Sequence, residues 1–291
     1  MSTPRLTLLN SMAGHDFEAA LDCHVRWGIE CLDLKDCIFG KNIADLSDAE
    51  VIRANEQIAS RQLGVYCLSS SVFASDIEIG REAFLKLNLP ALERVLTVAK
   101  ILKPRFIRLL GAQTSRRAKI QNSAKYIREA QPWLLTAYRD AIDRIFDAGF
   151  MTVIENEVDQ QIFASPAEIV AFFSELNRPK KAAFTWDIAN LWQCGVFPTA
   201  GVYRELKEII GYIHLKGGKS DKLNSSLSFA STLQQSDWPV REILAEAVRD
   251  GVSPVICLNP PHGRFKDGDD SANVTERDLE FTRSLLASLS N

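Results

Sequence analysis

The stretch "DAGFMTVIENE" (147–157) decides the fold. A helical run ends on Gly149, a short β-branched run follows, and that run stops on two acids. "MTVIEN" (151–156) is too short for a stable helix and has the composition of a buried strand. Gly149 sits where a left-handed C-cap is expected, and Gly28, Gly64 and Gly251 stand in the same relation to three other helical runs.

The same unit recurs on both sides. Strand candidates are 5–10, 29–34, 64–69, 105–110, 151–156, 182–187, 211–216 and 253–258. Helical periodicity fills 16–27, 47–61, 81–102, 120–148, 166–177, 200–209, 238–250 and 275–289. Ser47 is an expected N-cap, with Asp48 and Glu50 in the first turn, and Pro132 should kink or split the fourth helix. Strand then helix, about eight times over 291 residues, predicts an α/β protein with a (β/α)8 TIM barrel. A doubly wound sheet is the competitor, but "LLNSMAGHDF" (8–17) offers one glycine where a phosphate-binding turn needs several. No linker interrupts the alternation, so residues 1–291 read as a single domain. The Ser-, Gly- and Asn-rich segment 217–237 lacks periodicity and reads as a functional lid.

Composition narrows the class. The chain is 46% hydrophobic and 24% charged, with a formal net charge of -3, which excludes disorder. The only tight basic pairs are Arg116–Arg117 and Lys180–Lys181, so no nucleic-acid footprint is expected. No apolar stretch approaches the ~20 residues that span a bilayer. The N-terminus does not read as a signal peptide, and the six dispersed cysteines contain no CxxC. A cytoplasmic protein with reduced thiols is the expectation, acting on a small molecule with neither a nucleic-acid nor a membrane partner.

In such a barrel the active site lies at the C-terminal strand ends. Strand five ends on Glu155 and Glu157, strand six on Asp187 and Asn190, strand seven on His214 and Lys216, strand eight on Asn259 and His262. Two carboxylates, one imidazole and one amide on four successive strands suit Mn²⁺, Mg²⁺ or Zn²⁺. Singly, each has a plainer explanation as a cap, a solvated loop residue or a core histidine; the coincidence carries the reading. Lys216, or Arg108 on strand four, offers an anchor for a substrate carboxylate or phosphate.

At these residues the chain resembles the xylose isomerase-like barrel superfamily, in its sugar phosphate isomerase/epimerase branch. The matching text is "VIENE" (153–157), "TWDIANLWQCG" (185–195), "YIHLKGGK" (212–219) and "DWP" (237–239), with "LDLKDCIFGKNIADLSDAEV" (32–51) and "LGVYCLSSSVF" (63–73) earlier. The resemblance implies a divalent metal on Glu155, Asp187, His214 and position 259, where the family has Glu and this chain has Asn259. Gly217 likewise replaces the aspartate of the family's His-x-Lys-Asp. It implies a sugar or sugar-phosphate isomerase or epimerase working through an enediolate on a hydroxyketone or hydroxyaldehyde, and often a homo-oligomer.

Glu155 is then the expected base, with Lys216 as a catalytic partner and Glu157, Asn190, Arg108 and His262 around the substrate. An amide cannot exchange protons, so two-base epimerisation through Asn259 is excluded; Glu157, Lys216 or His262 is left to supply the second transfer. Two other readings compete with this one. An endonuclease IV-like trinuclear zinc site needs more than the four histidines present, His15, His24, His214 and His262. A degenerate barrel that only binds a metabolite is the alternative that Asn259 favours.

Overall fold

The computed structural model describes residues 3–158, 160–222 and 225–289. Eight parallel strands form the barrel: β1 (Arg5–Leu8), β2 (Cys31–Leu34), β3 (Gly64–Leu68), β4 (Phe106–Leu110), β5 (Met151–Glu155), β6 (Ala182–Asp187), β7 (Ile210–Leu215) and β8 (Val255–Leu258). Their order is β1-β8-β7-β6-β5-β4-β3-β2. The seam between β1 and β2 is drawn together by a Leu9–Asp33 bridge, and Thr7 Oγ1 donates to the Cys31 carbonyl at 2.6 Å. This nearly closed ring is the (β/α)8 architecture expected from the alternation.

Between the strands run α1 (Phe17–Arg26), α2 (Asp48–Ser60), α3 (Arg81–Leu102), α4 (Ser123–Ala130), α5 (Trp133–Asp147), α6 (Pro166–Leu176), α7 (Ile188–Gln193), α8 (Ala200–Leu206), α9 (Val240–Asp250) and α10 (Val274–Leu289). Local chemistry sets their ends. Ser47 and Glu50 form a reciprocal capping box at α2. Pro132 separates α4 from α5, because its nitrogen cannot donate to the preceding turn. Gly28, Gly149 and Gly251 have positive φ, as a left-handed turn requires. Gly64 does not: it opens β3, and Gln62 takes the left-handed conformation two residues earlier. The short α7 is absent from the helix pattern above, because six residues buried nearly all round have no amphipathic stripe.

Alternation along the strands builds the site. Cys31, Tyr66, Cys67, Phe106, Val153, Tyr212, Val255 and Cys257 pack together as an apolar cluster inside the ring. One step of two residues further along, the same phase reads Asp33, Arg108, Glu155, His214 and Asn259. A much larger apolar layer fills the space between strands and helices. The barrel interior thus turns from apolar to ionisable toward the C-terminal ends of its strands.

Candidate metal centre and active site

Glu155, Asp187 and His214 converge: one ligand atom from each lies within 4.8 Å of the others, and all three are buried. Register brings Asp187 beside His214 across β6 and β7. His214 Nδ1 faces Glu155 Oε1 at 2.8 Å. Asn259 joins them with its Nδ2 3.0 Å from the same Nδ1, while its Oδ1 accepts the Cys257 thiol at 3.1 Å.

Two cations are already engaged. Arg108 Nη1 donates to Glu155 Oε2, Nη2 donates to the Ser69 carbonyl at 2.8 Å, and Nε donates to the Ser70 carbonyl at 3.1 Å. Lys216 Nζ lies 2.7 Å from Asp187 Oδ2 as an ion pair, donates to Asn190 Oδ1 at 2.9 Å and lies 2.6 Å from His262 Nε2. Both side chains therefore hold the site's own carboxylates in place, and neither is the free substrate anchor that its sequence position offered. Asn190 Nδ2 donates to the Asn156 carbonyl at 2.9 Å and lies 3.5 Å from Glu157 Oε2. All nine site residues read from the sequence stand in one cluster.

Sequence reading missed two members. Asn156 locks β5 to β6, its amide giving to the Asp187 carbonyl at 2.9 Å and taking the Asp187 N–H at 3.0 Å. Asp33 lies behind the histidine: its Oδ2 is 3.5 Å from His214 Nε2 and accepts the Tyr212 hydroxyl at 2.8 Å. A carboxylate on the far ring nitrogen orients an imidazole whose other nitrogen serves as a ligand. The available signal was phase, since Asp33 is the one acid inside the apolar run "CLDL" (31–34) and shares the inward face of Cys31.

Charge tests whether a divalent ion fits. Four carboxyl groups, Asp33, Glu155, Glu157 and Asp187, crowd around two permanent cations, Arg108 and Lys216. Were all four ionised, two negative charges would be left over, and only a protonated imidazole or a protonated acid could reduce that excess without an ion. The residues respond. Burial would lower His214, but Glu155 and Asp33 outweigh it and lift the imidazole to about 9. Burial raises Glu157, and the Glu155 charge adds to that. Burial works against Glu155 too, yet His214 and Arg108 hold its carboxyl far below the usual range. Burial and Lys216 push His262 down to about 4.

A divalent cation between Glu155, Asp187 and His214 would neutralise the excess directly. Asp187 Oδ2 is buried with Lys216 Nζ at 2.7 Å as its ion-pair partner and no aligned hydrogen-bond donor among the described residues, so it keeps a lone pair to offer an ion. The residues fit such an ion as three ligands. Asn259 would become a fourth only by turning its oxygen from the Cys257 thiol toward His214.

Segment 217–237, read as a lid, packs against α7 and the loop after β8, apart from residues 223 and 224, which lie outside the described residues. Lys219 pairs with Phe229 as a bridge, Lys219 Nζ binds Asp269, and Trp192 Nε1 donates to the Ser225 carbonyl at 2.6 Å. Gly217 explains its own presence: a Cβ there would stand 2.0 Å from the Ser231 carbonyl oxygen. The backbone of the cover takes the space an aspartate would need.

No family model and no curated protein matches the chain. Solved structures do. A xylose isomerase-like TIM barrel protein from Mycobacterium smegmatis, in complex with magnesium, matches at 17% identity and a TM-score of 0.71, over 99% of this chain and 98% of its own. A D-allulose 3-epimerase from Methylomonas sp. matches at 17% identity and 0.69, over 98% and 100%. An AP endonuclease, family 2, from Brucella melitensis matches at 12% identity and 0.67, over 97% and 98%. One backbone thus carries different chemistries, and at these identities the likeness concerns the backbone alone. The chain has the fold of the xylose isomerase-like TIM barrels.

Proposed function

We propose that the protein is a divalent-metal-dependent isomerase of a small sugar or sugar phosphate, moving a proton beside a carbonyl through an enediolate. The observation that carries this reading is the charge imbalance at the mouth, four carboxyl groups around one imidazole with two fixed cations. Glu155, Asp187 and His214 would hold Mn²⁺, Mg²⁺ or Zn²⁺, and the magnesium in the mycobacterial barrel supports that choice of ion class. When bound, the ion supplies Lewis acidity at the substrate's adjacent oxygens.

The chain's own residues divide the remaining work. Glu155, kept ionised by His214 and Arg108, is a good ligand and a weak base. Glu157, raised by burial, is better matched to taking a proton near neutral pH. Lys216 keeps Asn190 and His262 in place and offers fixed positive charge to an oxygen that becomes negative. Among the described residues no second base of matched strength stands with it: Asn259 is an amide, and His262 at about 4 is a poor one. The proton therefore returns on the face it left, which favours aldose–ketose isomerisation over two-base epimerisation. Asn259 also favours a second reading, a barrel that binds its metabolite without turning it over.

The test is deuterium exchange. Protein stripped with chelator and reloaded with Mn²⁺, Mg²⁺ or Zn²⁺ is incubated in D2O with a panel of aldoses, ketoses and their phosphates, and the α-proton signal is followed by NMR. We expect metal-dependent exchange. Glu157→Gln should slow it about 10²- to 10⁴-fold with metal binding kept, and Glu155→Gln should lose the metal. No exchange with any metal, or no metal binding at all, defeats the proposal; binding of a panel member without exchange selects the second reading.

A further inference from the structure

Arg108 and Lys216 are both spent on the site's own carboxylates, which leaves the charge of an anionic substrate without a partner from either. Of the cations on the loops after the strands, Lys35 is half-buried and makes no ion pair or side-chain hydrogen bond among the described residues. Its backbone is fixed: Lys35 N–H donates to Asn10 Oδ1 at 2.9 Å, and its carbonyl accepts from Ile43 N–H at 3.3 Å. It continues the inward phase of Cys31 and Asp33. It directly follows β2, at the C-terminal end of the strand that carries Asp33.

Lys35 also lines a cavity of about 220 Å³ between the β2 and β3 loops and α3. Ser70, Ser71 and Ser75 share that lining, with the Ser70 hydroxyl already given to the Arg108 carbonyl at 2.6 Å. Ser75 Oγ accepts from Asn88 Nδ2 at 3.0 Å, which leaves its own proton to give. Ser70 stands between the cavity and the candidate metal centre, since its carbonyl accepts from the Arg108 Nε that backs Glu155. The acid on the wall, Asp45, is exposed and takes the Asn42 amide at 3.1 Å.

We propose that Lys35, with the hydroxyls of Ser71 and Ser75, binds the oxyanion at the end of the substrate remote from the metal. The shared chemistry is a small oxyanion, a phosphate ester or a carboxylate. This rests on the isomerase reading and names the part of the substrate that the metal does not touch.

The test avoids turnover and metal alike. Binding of inorganic phosphate and of malonate is measured by calorimetry on chelator-treated protein, as wild type, Lys35→Ala, Ser75→Ala and Lys41→Ala. Lys41 serves as a nearby control, since it is exposed and already paired with Glu50. We expect one or both anions to bind wild type, Lys35→Ala to weaken binding at least about tenfold, as loss of a charge-assisted contact does, Ser75→Ala to weaken it less, and Lys41→Ala to leave it unchanged. Preference for phosphate identifies a sugar phosphate, and preference for malonate a sugar acid. No binding to wild type, or equal loss in Lys35→Ala and Lys41→Ala, overturns the site. Neither result touches the metal-dependent exchange above, so the two proposals fail separately.

Discussion

Asn259 shows how one side chain sets the charge of a site. Its amide oxygen takes the Cys257 thiol and its nitrogen faces His214, so it contributes hydrogen bonds and no charge. In Asn259→Glu a fifth carboxyl group would join four at the mouth, with the same two cations. Without metal that variant should be less stable than wild type by about 1–3 kcal/mol, the cost of an uncompensated buried polar or charged group. With saturating Mn²⁺ its melting temperature should recover by more than wild type gains, and its Mn²⁺ affinity should rise at least about tenfold, as expected for a charged ligand replacing a neutral one. Thermal melts and calorimetry with and without Mn²⁺ read this directly. Unchanged affinity would put residue 259 outside the coordination sphere. Glu155, Asp187, His214 and Asn259 were legible in the sequence because each ends an apolar run. Asp33 was not, because it stands inside one with leucine on either side, and only its inward phase betrays it.

Among the elements, the strands were the most legible, since eight short apolar runs bounded by polar ends allow few other readings. Helix boundaries came from caps and from Pro132, whose missing N–H divides α4 from α5. Segment 217–237 resisted because its order comes from tertiary contacts, the Lys219–Asp269 ion pair and the Trp192 donor, which no local pattern encodes. Its tightest contact sits at Gly217. In Gly217→Ala the new methyl would meet the Ser231 carbonyl, so the cover must move off the mouth while the barrel stays folded. Overpacking of this kind costs about 1–3 kcal/mol, which raises the open population, and with it the rate of limited proteolysis, about 5- to 100-fold when cleavage tracks the open form. Cleavage between residues 219 and 231, mapped by mass spectrometry with far-UV circular dichroism unchanged, would bear this out. Wild-type cleavage rates would mean that the cover absorbs the methyl without moving.

Across the whole molecule, pH dependence offers a reporter that the metal centre does not control. Asp278 on α10 is 2% exposed and accepts the Leu233 N–H at 2.8 Å, which ties the last helix to the far end of the cover. Burial lifts its carboxyl to about 7, against the smaller opposing pull of the Leu233 N–H and of Arg277. In the unfolded chain the same group titrates near 4. The folded state therefore holds the proton more tightly between those values, and the stability this gives is complete below about pH 4 and lost as pH rises through about 7. Above that, wild type carries a buried carboxylate with one donor. Asp278→Asn keeps an oxygen to accept from Leu233 and removes the charge. It should be more stable than wild type by about 2–4 kcal/mol at pH 8, from the size of the shift. The advantage should shrink steadily on going down to pH 4, where both side chains are neutral. At about 2 °C per kcal/mol for a chain of this size, the pH 8 difference is several degrees in a thermal melt. The same melts in chelator and in Mn²⁺ should give the same difference, because Asp278 lies on a helix that contributes no ligand to the metal. An advantage equal at both pH values would assign it to packing and remove the buried carboxylate as its cause.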